Sequence, residues 1–103
     1  MGVSDLGRFS DPGLFILASL ADGEKHGYAM IEDIEEMCGV RLGPGTLYGA
    51  LARLERRGLV EPLPSEDRRR PYRLTAAGAT ALEERLRELE GIARAGLGRL
   101  ATA

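Results

Sequence analysis

Pro44-Gly45-Thr46-Leu47-Tyr48-Gly49-Ala50-Leu51-Ala52-Arg53-Leu54-Glu55-Arg56-Arg57-Gly58 is the stretch on which the fold turns. Proline is tolerated at the first helical position, where its missing N–H is not needed, and Gly58 is a strong stop, so the spacing predicts a helix from Pro44 to about Arg57. Leu47, Leu51 and Leu54 form an inward stripe, while Thr46, Gly49, Arg53 and Arg56 form a stripe on another face. Upstream, Gly39-Val40-Arg41-Leu42-Gly43 is a short connection to a second predicted helix, from about Tyr28 to Cys38. Met30, Ile31, Ile34, Met37 and Cys38 lie on one face of that helix, Glu32, Asp33, Glu35 and Glu36 cover the rest, and Gly39 ends it. Two compact helices joined by a short Gly-containing segment make a helix-turn-helix.

The same logic extends to both ends. Asp11 is a good N-cap with Pro12 behind it, and Leu14 to Ala21 is apolar nearly all round, so a first, central buried helix is expected to end at Asp22-Gly23. Downstream, Leu59-Val60-Glu61-Pro62-Leu63 and Pro71-Tyr72-Arg73-Leu74 read as two short strands of a hairpin with a long polar loop. Pro62 marks the first as an edge strand. A last helix starts at Thr75, a plausible N-cap, and runs toward Leu100. Ala79, Leu82, Leu86, Leu89 and Ala93 give it a short heptad seam, and Gly91, Gly96 and Gly98 predict fraying or a kink in its last third. The expected fold is mainly α with a small β-hairpin: an N-terminal arm over 1–10, a winged helix-turn-helix over 11–75 and a C-terminal dimerisation helix over 76–103.

A chain of 103 residues fits one domain with a modest core, to which a second copy would add apolar burial. There is no Trp, and the aromatics are two Phe and three Tyr, so the core rests on Leu, Ile, Val, Ala and Met. The single cysteine, Cys38, excludes an internal disulfide and reads as an inert core thiol. Residues 1–10 carry Asp5 and Arg8 and do not read as a signal peptide, and no stretch reaches the roughly 18–20 apolar residues of a membrane span. A cytoplasmic protein with no membrane partner is the plain expectation. His26 is the one histidine; it has no second His at helical spacing and no nucleophile or orienting acid in a recognisable motif. A phosphate loop is absent too, so neither catalysis nor a metal or cofactor is expected. The net charge of −2 is unevenly spread: residues 1–40 carry −6, residues 41–73 carry +4 and the remainder is neutral. That separation gives the molecule one side suited to phosphates.

His26-Gly27-Tyr28 ahead of an amphipathic helix, then Pro44-Gly45-Thr46-Leu47-Tyr48, then Leu51-Ala52-Arg53-Leu54-Glu55-Arg56-Arg57-Gly58-Leu59-Val60, and finally Tyr72-Arg73-Leu74-Thr75-Ala76-Ala77-Gly78 stand in a specific order. Together they resemble the PadR family of transcriptional regulators over roughly residues 14–90, in its compact branch with one C-terminal dimerisation helix. Gly43 stands where that family commonly has Ser, and Gly49 where it commonly has Pro. The resemblance implies a homodimeric regulator, a repressor by that likeness, with a small-molecule effector at or near the dimer interface.

For duplex DNA, the first residues of a recognition helix meet base edges in the major groove, which here are Gly45, Thr46, Tyr48 and Gly49. Thr46 can hydrogen-bond a base or phosphate or pack on a thymine methyl, Tyr48 can reach a phosphate, and the two glycines permit close approach. Arg53 faces the same way, and Arg68, Arg69 and Arg70 at the wing tip suit a flanking phosphate or a narrow minor groove. Lys25, His26 and Tyr28 can meet a phosphate at a helix N-terminus. Each has a plainer reading: a solvated arginine loop, a packed histidine, a partly buried Tyr28, and a Thr46 and Tyr48 that only stabilise the turn. The Leu82, Leu86, Leu89 and Ala93 seam reads as a dimer contact, or as packing on its own domain. A protein-interaction module on a winged-helix scaffold without DNA binding is the alternative function, consistent with the acidic front and with Gly43 and Gly49.

Overall fold

A computed structural model of the chain describes residues 11–66 and 68–103; the arm expected over residues 1–10 lies outside them. In chain order the elements are α1 (Pro12–Leu20), β1 (Lys25–His26), α2 (Gly27–Cys38), α3 (Pro44–Arg56), β2 (Val60–Pro62), β3 (Pro71–Leu74) and α4 (Ala76–Thr102). The three strands form an antiparallel sheet in the order β1-β3-β2, with Lys25 opposite Tyr72 and Val60 opposite Leu74. The architecture is a winged helix-turn-helix followed by a long helix, mainly α with a small sheet.

Local chemistry sets the boundaries. The Asp11 carboxylate accepts from Leu14 N at 3.1 Å, and Thr75 Oγ1 accepts from Gly78 N at 3.0 Å, so both act as N-caps. Gly39 closes α2 with a φ of 74° in the left-handed region. Gly58 does the same after α3 at φ 75°, where Gly58 N donates to Glu55 O and Leu59 N to Leu54 O. Those two bonds form a Schellman motif, and Leu59 and Leu54, its apolar partners, both join the core. β2 is an edge strand, where Pro62 is tolerated.

One core holds α1, α2, α3, the sheet and the start of α4 together. Ile16, Met30, Ile34, Leu47, Leu51 and Val60 are fully buried, with Leu14, Phe15, Leu17, Leu20, Ile31, Leu54, Leu59 and Leu82 around them. Each such side chain contributes on the order of 1.5–3 kcal/mol by leaving water. α1 is the central helix: its polar Ser19 is buried but donates to Asp33 Oδ2 at 2.6 Å, so it is satisfied.

Several expectations are corrected. Residues 25–26 form a short strand, because β3 has an unpaired side that they can meet. α1 ends at Leu20, just ahead of the expected Asp22-Gly23 stop. Cys38 and Met37 are exposed, since the last turn of α2 extends past the body it packs on. α4 runs unbroken to Thr102 through Gly91, Gly96 and Gly98, with no kink. Leu82 lies in the intramolecular core at 6 % exposure and has little surface to offer a partner. Beyond Glu90 every residue of α4 is exposed, so the helix projects from the body. The radius of gyration of 15.5 Å accordingly exceeds the roughly 13 Å of a compact chain this long.

Candidate nucleic-acid interface

α3 buries Leu47, Ala50, Leu51 and Leu54 and turns Pro44, Gly45, Thr46, Tyr48 and Arg53 outward. Its N-cap residue is Gly43, which supplies no side-chain acceptor, so donors of the first turn have no side-chain cap. A Cβ at Gly45 would meet nothing within 4 Å, which leaves the first turn open to an approaching surface. At Gly49 a Cβ would meet Arg53 Nη1 at 3.7 Å, so the Arg53 guanidinium folds back along the helix toward that turn. Tyr48 is half exposed, with its hydroxyl end seated against Gly27 at the start of α2.

The wing follows α3 through the Schellman turn. Cross-strand pairing ends at Leu63 N, which donates to the Pro71 carbonyl at 2.8 Å. Beyond that bond the loop carries Arg68, Arg69 and Arg70, all exposed. At the wing base Tyr72 is half-buried. Its phenol is held above the ordinary tyrosine value, first by burial and then by the Glu55 carboxylate, against the opposing influence of Arg70. It is therefore a neutral hydroxyl at neutral pH. Arg73 is committed elsewhere, with its Nε donating to Glu61 Oε1 at 2.5 Å across the strands.

The structure separates the residues expected at the start of α2. Lys25 points inward at 18 % side-chain exposure, donating to the Ser19 carbonyl at 2.5 Å and to the Asp22 carboxylate, with Asp33 Oδ2 4.0 Å away. Its ammonium is thus engaged by groups of its own chain. His26 is the N-cap of α2: Nδ1 accepts from Ala29 N at 3.2 Å. Tyr28 is exposed and neighbours Arg41, whose guanidinium is held above its ordinary value mainly by a 2.9 Å bond to Glu35 and then by Tyr28. Thr46, Tyr48, Gly45, Gly49 and Arg53 share the outer side of α3.

Sequence reasoning missed the distal apolar side chains of α4. Leu97 and Leu100 are 68 % and 74 % exposed and continue the Leu86, Leu89, Ala93 spacing for two more turns. Ile92, 68 % exposed, flanks that stripe. The signal was present as three- and four-residue steps, but the glycines beside them argued for a frayed end. Among the described residues no group of His, Cys, Asp and Glu could hold a metal ion, and no helix is long and apolar enough to cross a membrane.

The profile of the transcriptional regulator PadR-like family matches residues 16–84. The chain is 46% identical over 91 residues to transcriptional regulator Rv3488 of Mycobacterium tuberculosis, a match covering 82% of this chain and 81% of that protein. It is 52% identical over 87 residues to a 37.1 kDa protein of transposon TN4556 from Streptomyces fradiae. That match covers 84% of this chain but 24% of the transposon protein, so the chain spans about a quarter of that relative. A PadR family transcription regulator from Clostridium difficile R20291 superposes with a TM-score of 0.75 at 27% identity, covering 82% of this chain and 92% of that one. RosR of H. salinarum superposes with a TM-score of 0.70 at 30% identity, covering 79% and 74%.

Proposed function

The chain belongs to the PadR-like family of transcriptional regulators, and we propose that it works as a homodimeric repressor that binds an inverted-repeat operator in duplex DNA. The observation that carries this reading is a single one. The first turns of α3 stand exposed, and the hairpin that follows this helix presents three consecutive exposed arginines. Thr46, with Gly45 and Gly49 clearing its path, faces base edges; Tyr48 and Arg53 face the backbone; Arg68, Arg69 and Arg70 reach a flanking phosphate or the adjoining minor groove. Tyr28 and the His26 cap stand at the edge of this surface and position it.

Dimerisation falls to α4. Leu86, Leu89, Ala93, Leu97 and Leu100 form a stripe whose outer end has no intramolecular cover. A two-fold pairing of such stripes would set two α3 helices about 34 Å apart, one turn of DNA. Beside the stripe, Ala21, Leu74, Ala79, Leu82 and Leu86 floor a groove of about 380 Å³ rimmed by Glu83, Arg87 and Glu90, which supports an effector site near the dimer contact.

Selection from random duplex DNA with the purified protein tests the proposal. A palindromic consensus is the expected product. A pool that emerges without any enriched sequence would contradict it.

A further inference from the structure

Gly27 is the first residue of α2 and is buried, yet its backbone does not call for glycine. Among the described residues the positive-φ glycines are Gly23, Gly39 and Gly58, so Gly27 has a conformation that alanine adopts freely. Alanine is also the better helix former. What forbids a side chain here is a neighbour from another helix. A Cβ at Gly27 would stand 2.6 Å from Tyr48 Cζ and 2.9 Å from Cε1, and closer still to the hydroxyl oxygen. Real Cβ atoms do not approach so near. By contrast, a Cβ at Gly43 or Gly45, at the start of α3, would meet nothing within 4 Å.

The Tyr48 side chain is half exposed, and its hydroxyl end fills the notch at Gly27. Any side chain at position 27 would displace the ring from the place where its hydroxyl end now meets Gly27. The atoms in the way belong to the far end of a side chain and not to backbone, so the ring would move and the fold would stay. We propose that Gly27 is a positioning residue for Tyr48: the missing Cβ on the first turn of α2 is the seat that fixes where the Tyr48 hydroxyl stands on the DNA-facing side. The inference rests on the reading of α3 as the DNA-binding helix and adds the element that sets its tyrosine.

The full-length chain and its selected operator supply the test. In the free protein, NMR cross-relaxation between the Gly27 Hα protons and the Tyr48 ring protons is expected; its absence would overturn the seat. Gly27→Ala should weaken operator binding about tenfold while melting within a few degrees of the wild type. In a Tyr48→Ala background the same substitution should cost nothing further, because the colliding ring is gone. A merely structural glycine would lose affinity equally in both backgrounds, and that additive result would overturn the proposal. So would a Gly27→Ala protein with unchanged affinity beside a weakened Tyr48→Ala protein. If Tyr48→Ala itself leaves binding unchanged, the DNA-facing reading of Tyr48 fails, and the cross-relaxation alone then decides whether Gly27 seats the ring.

Discussion

The hydroxyl of Thr75 donates to the carbonyl of Gly58 at 2.7 Å while accepting from Gly78 N at 3.0 Å. One side chain thereby joins the turn that ends α3 to the cap that starts α4, with the wing looped out between them. Thr75 N adds a 3.1 Å bond to the Leu59 carbonyl, so the two ends of the hairpin are locked at its base.

Thr75→Ala removes the cap and the bridge together. It should lower stability by about 1–2 kcal/mol in urea denaturation, with Thr75→Ser recovering most of the loss. A Thr75→Ala midpoint equal to wild type would show that the bridge contributes nothing.

Gly78→Ala is expected to cost more than a helical Gly-to-Ala change ordinarily gains. A Cβ there would land on the Leu59 carbonyl oxygen and 2.9 Å from Leu74 Cδ1, and backbone cannot step aside as a side-chain tip can. The loss should be about 1–3 kcal/mol by the same measurement. A stabilised variant would contradict this packing.

Arg68→Ala combined with Arg70→Ala should weaken binding to cognate and random duplexes alike. The slope of log affinity against log salt should flatten by about one for each phosphate that is no longer neutralised. Lys25→Met is the contrasting case. Its ammonium is already paired with Asp22 and the Ser19 carbonyl, so the salt slope should hold while the melting temperature falls. The hydrogen bond and charge of Lys25 hold the Asp22 carboxyl below its ordinary value, so that contribution is present above the unfolded carboxylate pKa. It fades as pH falls through the depressed folded one. Lys25→Met should remove that acid-side dependence, which a pH series of melts would record.

Leu97→Glu with Leu100→Glu places charge on the outer stripe of α4, where the side chains have no intramolecular role. Sedimentation equilibrium should show self-association weakened on the order of a hundredfold or more, with helix content retained. Unchanged self-association would move the dimer contact elsewhere.

Much of this was legible in the sequence for stated reasons. The Leu47, Leu51, Leu54 stripe, the Asp11 and Thr75 caps and the Gly58 stop depend on neighbours within one or two turns, so spacing revealed them. The pairing of Lys25 was not legible because its partners, Ser19, Asp22 and Asp33, come together only when α1 and α2 pack. β1 is two residues long and exists only because β3 lies beside it, so no local pattern announces it. Cys38 and Met37 keep helical spacing with the core residues, but the body ends before they do. Gly91, Gly96 and Gly98 lower helix propensity without abolishing it in a helix of 27 residues. The seat of Tyr48 on Gly27 is likewise a contact between two helices, invisible to periodicity.

Hydroxyl-radical footprinting of the protein on its selected operator addresses the central claim most directly. The account predicts two equivalent protected patches on one face of the duplex, centred about 10–10.5 base pairs apart, with one dimer bound per site. A single patch, or two whose spacing places them on opposite faces of the helix, would contradict it.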